Sequence, residues 1–161
     1  MKKPSIYLLL SAMIYMLVAC GGNPPNQEQT QSTSNSEATA TSGNPSYDPT
    51  RGTGKYTSVE VSSTLDVSKA TNGEKTFDVK CSACHKLTDE KLVGPGWKGV
   101  TARHQPEWIM NFITNTDEML NKDPKAQAQL EICLVRMPNQ SLSDDEARNL
   151  YEFMRKNDGV K

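Results

Sequence analysis

Five consecutive residues, Cys81-Ser82-Ala83-Cys84-His85, carry the clearest chemical potential in the chain. On a helical turn two thiols three positions apart point to the same side, and here an imidazole follows directly after the second. This is the C-x-x-C-H pattern of c-type haem attachment: the thiols add to the two vinyl groups of the porphyrin, and the histidine reaches its iron. Three other chemistries use similar residues. A structural zinc site would want a second Cys or His pair at ligand spacing, whereas the later chain offers only His104 and Cys133, far apart in sequence. A thioredoxin-like redox pair needs a strand–helix–strand setting, and the surrounding pattern is helical. A plain disulfide between Cys81 and Cys84 would leave His85 without a role.

The elements that must position these residues begin late in the chain of 161 residues. Lys2 and Lys3 precede a mostly apolar run from Ile6 to Val18, the pattern of an export signal. As a helix that run would rise only about 20 Å, short of the roughly 30 Å needed to stay in a bilayer as a span. It ends in Leu17-Val18-Ala19-Cys20, which resembles a bacterial lipobox, so Cys20 is expected to carry a lipid as the first mature residue. The expected organisation is a lipoprotein signal peptide over 1–19, the lipidated Cys20 and a flexible tether over 20–65, and one folded domain over 66–161. The tether expectation rests on repeated Ser, Thr and Asn with Pro24, Pro25, Pro45 and Pro49, a composition that buries too little apolar surface to offset its ordering entropy. Val59, Val61, Leu65 and Val67 alternate, and they suggest a short extended stretch lying along the domain. This places the protein in the cell envelope on the periplasmic side, anchored to a membrane, with inner and outer membrane both open.

With 18 basic and 19 acidic side chains the formal charge is −1, which excludes the strongly basic footprint of a nucleic-acid binder. Only 35% of residues are hydrophobic and 6% aromatic, a lean stock for a self-sufficient core. Some other apolar mass must complete it. Within the domain Asn72 can cap a first helix containing Gly73 and Phe77, which runs into the Cys-His motif. Pro106 opens a helix through Trp108, Ile109, Phe112 and Ile113, and Asp123-Pro124 starts another reaching about Leu134. Ser143-Asp144-Asp145-Glu146 is a capping box for a last helix, whose apolar stripe of Ala147, Leu150, Tyr151 and Met154 would cross the first near Gly73. Every periodic segment is helical.

The region from about Asn72 to Asn157 resembles a class I monohaem cytochrome c domain. The resemblance implies an all-α cytochrome c fold, about four to five helices around one covalently bound haem c with its iron. Cys81 and Cys84 would be the attachment points and His85 the proximal ligand, with the carbonyl of Pro95 in Gly94-Pro95 receiving the Nδ1 proton. Read without the family, Gly94-Pro95-Gly96 is a tight turn. Candidates for a sixth ligand are Met110, Met119, Met137, Met154 and His104. Met110 and Met154 fall on helical stripes that packing explains, but Met137 sits in a loop stiffened by Pro138. A Met-Pro here supplies the sixth ligand in the resembled family. Trp97, Trp108 and Arg103 are candidates for hydrogen bonds to haem propionates. Cys133 reads as a small buried hydrophobe, with iron ligation or dimerisation as alternatives.

A His and a Met saturating the iron favour electron transfer over substrate chemistry. The expected donor is a quinol-oxidising complex or another cytochrome, and the acceptor a terminal reductase or oxidase. Leu92 to Leu120 with Met137-Pro138-Asn139-Gln140 also resembles lipoprotein cytochromes associated with nitrous oxide reductase, which would make that enzyme the acceptor. Residues 66–103 carry seven basic and five acidic groups, and Lys80, Lys86, Lys91 and Lys98 around the motif suggest an edge oriented toward an acidic partner. The opposing class is a haem enzyme or gas sensor with an open sixth position, for which His104 would be the free imidazole.

Overall fold

The computed structural model describes residues 47–161. The export signal, Cys20 and the first part of the expected tether lie outside the described residues. Among those described there are six helices and no strands: α1 (Val67–Lys80), α2 (Val100–Arg103), α3 (Pro106–Thr114), α4 (Thr116–Lys122), α5 (Pro124–Cys133) and α6 (Asp144–Asn157). The all-helical expectation holds with two additions, the single turn α2 and the short α4, both too brief to leave a readable period. None of the helices is long and apolar enough to cross a membrane.

The first helix starts earlier than Asn72. The carboxylate of Asp66 accepts from Lys69 N at 3.0 Å, so Asp66 is the N-cap and Asn72 lies inside the helix. The other starts follow the sequence. Pro106 and Pro124 occupy first-turn positions where no backbone donor is missed, and Asp123 caps α5 through Ala126 N at 2.8 Å. At α6 Ser143 Oγ accepts from Glu146 N at 3.2 Å while Glu146 Oε2 accepts from Ser143 N at 2.9 Å.

The dominant packing is α1 against α6. A Cβ on Gly73 would lie 2.1 Å from Asn149 O and 2.8 Å from Phe153 Cβ, so the two backbones cross at a distance only glycine permits. Phe77 meets Phe153 with ring centroids 5.5 Å apart just beyond the crossing. Around this pair Ala147, Leu150, Tyr151 and Met154 of α6 are buried with Trp108, Ile109 and Ile113 of α3, one continuous core.

Residues 47–65, expected to belong to the tether, run along the folded domain as a strap. Polar side chains on distant elements, most of them buried, bind the strap. Asn111, fully buried on α3, donates to Arg51 O and Tyr56 O at 2.9 and 3.0 Å and accepts from Tyr56 N at 2.9 Å. Asp123 Oδ2 accepts from the Tyr47 hydroxyl, and Glu107 Oε1 accepts from Val59 N at 2.7 Å. Arg155, buried and paired with Glu152 at 2.7 Å, donates to Ser62 O at 2.5 Å. Composition correctly excluded an apolar core in this segment. It attaches through its peptide groups, which satisfy polar atoms that would otherwise be costly to bury.

Gly73→Ala is expected to force α1 and α6 apart and to cost about 2–3 kcal/mol. Urea unfolding of the wild type and the variant measures it. An unchanged midpoint would contradict the close crossing.

Candidate functional site

The end of α1 delivers the two thiols. Cys81 N and Ser82 N both donate to Phe77 O at 2.9 Å, which closes the helix, and Cys84 N and His85 N both donate to Cys81 O at 3.0 Å. The five-residue motif is thus one helical turn, as its spacing demands. Cys81 is buried in the core, where burial pushes its thiol up to about 11, and Cys84 is half-buried. Among the described residues no disulfide joins Cys81, Cys84 or Cys133.

The loop after the motif orients His85. Its Nδ1 lies 2.9 Å from Pro95 O. A carbonyl only accepts, so the ring proton belongs on Nδ1 and the Nε2 lone pair is left for a metal. Burial lowers the pKa of this imidazole, and the Pro95 bond opposes that more weakly. Both the tautomer and the neutral form suit a ligand. Gly94 lies against the ring: a Cβ there would come within 2.4 Å of His85 Cε1 and 2.8 Å of Nδ1. The glycine read from sequence as a turn residue is also the seat of the imidazole. Gly94 N and Val93 N donate to Cys84 O at 2.9 and 3.2 Å, and Trp97 N donates to Lys86 O at 2.9 Å, so motif and loop are tied directly. Trp97 closes the seat, its ring centroid 5.6 Å from His85 and 4.8 Å from Phe77.

Two clefts of about 540 and 500 Å³ share His85, Pro95, Phe112, Gln129 and Met137 as walls, and together they form one space. Cys84, Val93, Leu120, Leu130 and Cys133 line the first part, and Trp97, Val100, Trp108, Ile109 and Met154 the second. Its size and largely apolar wall are those of a site for a sizeable organic cofactor. Met137, from the loop between α5 and α6, is the methionine that lines both parts. Met110 and Met119 are core residues, and Met119 Sδ accepts from the strap at Thr53 N, 3.1 Å away. Met154 reaches the second part from the buried stripe of α6.

The residues present fit a haem. Besides the Cys84 thiol, an oriented imidazole and a thioether on one apolar space, the second part holds two buried nitrogens without partners, Trp108 Nε1 and His104 Nδ1. His104 Nε2 faces the Gln129 amide nitrogen at 3.2 Å and accepts there, which leaves its proton on the orphaned Nδ1. The two rings stack at 4.1 Å. Burial, then the charge of Arg103, pushes His104 down to about 4, so the ring is neutral. A pair of unsatisfied N–H donors at the edge of an apolar space is costly unless an acidic group arrives, and haem propionates are such groups. Arg103, the third candidate, donates to the carbonyls of Lys98 and Gly96 and lines the same part of the space.

The structure therefore gathers Cys84, His85, Pro95, Trp97 and Met137 on one space, while Cys81, on the same turn as Cys84, is buried in the core and lines neither part. Sequence reading named Trp108 and His104 as separate candidates without their stack, and it did not identify Gln129 or Phe112 as part of this site. Of the lysines expected to form a free basic rim, Lys80 is paired with Glu146 at 2.9 Å and Lys86 with Glu90 at 2.7 Å, and Lys91 donates to Ile132 O at 2.8 Å.

A model of the cytochrome c family matches residues 70–158. Among solved structures, a cytochrome c from Rhodothermus marinus is similar at 31% identity and a TM-score of 0.63, over 65% of this chain and 90% of that one. An engineered form of that cytochrome matches at 30% identity and 0.63, with the same coverage. The engineered form bound to a carbene intermediate matches at 30% and 0.60. Comparison with curated proteins finds no match.

Gly94→Ala is expected to displace the His85 ring and to lower the thermal midpoint of the cofactor-loaded protein, followed in its visible spectrum, by at least about 5 °C. A midpoint within a degree of wild type would show that the ring does not need this seat.

Proposed function

Because the chain belongs to the cytochrome c family, with covalently bound haem c and haem-based electron transfer, we propose that it is a lipid-anchored one-electron carrier outside the cytoplasm whose iron is held by His85 and Met137. The observation that carries this reading is the convergence on one apolar space of the oriented His85 imidazole, the Met137 thioether and the Cys84 thiol, which shares its turn with Cys81. When bound, the haem supplies a one-electron iron couple. Cys81 and Cys84 hold it by thioether bonds, so the cofactor is not lost between encounters. Pro95 keeps the Nδ1 proton on His85, and that hydrogen bond strengthens Nε2 as a donor. Met137 completes the coordination with a soft ligand that favours the reduced metal, and the apolar walls disfavour the extra positive charge of the oxidised one. Both effects raise the potential. Trp108 Nε1 and His104 Nδ1 would donate to the haem propionates.

A lipid on Cys20 would confine the carrier to a membrane surface, where raised local concentration serves a small and transient contact. The donor is a quinol-oxidising complex or another cytochrome, and the acceptor a terminal reductase or oxidase. The narrower sequence resemblance favours nitrous oxide reductase as that acceptor.

The opposing reading, an open sixth position, is separated by the reduced protein's response to carbon monoxide and by Met137→Ala. Wild type is expected to bind the gas slowly, while Met137→Ala should lose the Met-to-iron charge-transfer band and bind it at least tenfold faster, because its sixth position no longer has to be vacated. A band that survives the substitution would exclude Met137, and fast binding by wild type would reject the carrier.

A further inference from the structure

The two sides of the iron site are held by different parts of the chain. Cys81, Cys84 and His85 issue from the end of α1, which the α1–α6 crossing fixes. Met137 comes shortly after the end of α5, and its neighbour Arg136 donates to Asp117 O at 3.1 Å and Asn121 Oδ1 at 2.9 Å, both on α4. Leu120 of α4 and Gln129, Leu130 and Cys133 of α5 line the same space as Met137. The place of the thioether is therefore set by the α4–α5 pair. α5 packs mainly on α4, which in turn packs on α3.

The start of the strap, which precedes the cytochrome c core of residues 70–158, ties this pair down. On α4, Met119 Sδ accepts from Thr53 N at 3.1 Å; at the α4–α5 junction, Asp123 Oδ2 accepts from the Tyr47 hydroxyl; on α5, Lys125 Nζ donates to Pro49 O at 2.7 Å. Gly52 makes the approach possible. Its φ is +64°, and a Cβ there would lie 2.6 Å from Met119 Cε and 2.9 Å from Asp123 Oδ2. Asp123 is fully buried and its other carboxylate oxygen accepts from Ala126 N, so the Tyr47 hydroxyl completes a carboxylate that has no access to water. The second half of the strap is seated elsewhere: Glu107 of α3 accepts from Val59 N, and Arg148 and Arg155 of α6 donate to Glu60 O and Ser62 O.

We propose that residues 47–53 of the strap are a positioning clamp for the sixth ligand, holding α4 and α5, and through them Met137, against the cofactor space. The proposal rests on the reading of Met137 as an iron ligand and adds residues remote from the metal that decide how firmly it is kept. A soft thioether binds oxidised iron only weakly, so its residence there depends on how strongly the chain resists withdrawal of its loop. Each strap bond that breaks when α4 and α5 shift lowers the population of the withdrawn state, and removing that bond raises the population again.

The test is stopped-flow binding of imidazole to the oxidised, haem-loaded full-length protein. With Met137 on the iron, the observed rate should level off at high imidazole, at a limit set by departure of the thioether. Tyr47→Phe should raise that limit about three- to tenfold, the effect of losing one hydrogen bond to a buried group, and Lys125→Ala about two- to threefold. Lys125→Arg, which still reaches Pro49 O, should keep the wild-type limit. So should Arg148→Ala, which frees the second half of the strap from α6 without touching the first. Lys125 is exposed, so its variants stay measurable where Tyr47→Phe fails to fold. A wild-type limit in Lys125→Ala or in folded Tyr47→Phe, or an equal rise in Arg148→Ala, would overturn the clamp and leave the carrier reading standing. A wild-type rate that climbs with imidazole without levelling off, as it should in Met137→Ala, would instead sink the assignment of Met137 itself.

Discussion

The hydrogen bond from His85 Nδ1 to the carbonyl of Pro95 is the constraint on which the site depends. Cys81 and Cys84 can tether a porphyrin from any helical turn, but only an imidazole locked in one tautomer and one orientation turns that tether into a defined iron centre. The lock needs a loop that returns ten residues after the motif; Gly94 lets it lie tightly against His85, and Gly96 lets it pass close to the backbone of Thr88 to Glu90. Bonds from Val93 N and Gly94 N to Cys84 O stitch the loop in place. The α1–α6 crossing at Gly73 supports the same arrangement from the other side, because it fixes the helix end from which both thiols project.

The rest of the molecule is organised to make a lean sequence suffice. Its core is closed by α1, α3 and α6, and the apolar space beside it is to be filled by the cofactor. The strap of residues 47–65 adds little apolar mass. It contributes peptide groups and hydroxyls that match Asn111, Asp123 and the Glu152–Arg155 pair, all buried. Removing one partner of such a set costs more than forming it gains, so these contacts act chiefly to make the fold unique.

What was legible in the sequence was whatever local spacing encodes. The Cys81–His85 turn, the α6 capping box, Pro106 and Pro124 as helix openers and Met137 as a methionine outside any stripe each carry their reason within a few residues. The strap was legible only in part: the alternation of Val59, Val61 and Leu65 suggested a short stretch along the domain, but not the polar contacts that hold it. Its partners lie many residues away, and a Ser/Thr/Gly/Pro segment that binds through its backbone has the composition of one that does not bind at all. The start of α1 was misplaced because Asn72 and Asp66 both offer a capping side chain, and only the Asp66 carboxylate meets Lys69 N at the helix end. Trp108 and His104 were each named as site candidates, but their stacking was not legible, because a helical period marks a buried face without saying what covers it.

Haem staining of the chain on a denaturing gel, after maturation in a host with haem-ligation machinery, tests the account most directly. The expected result is colour that stays with the polypeptide in the wild type and disappears when Cys81 and Cys84 are both replaced by alanine. A wild-type chain that is fully folded by circular dichroism yet colourless would contradict it.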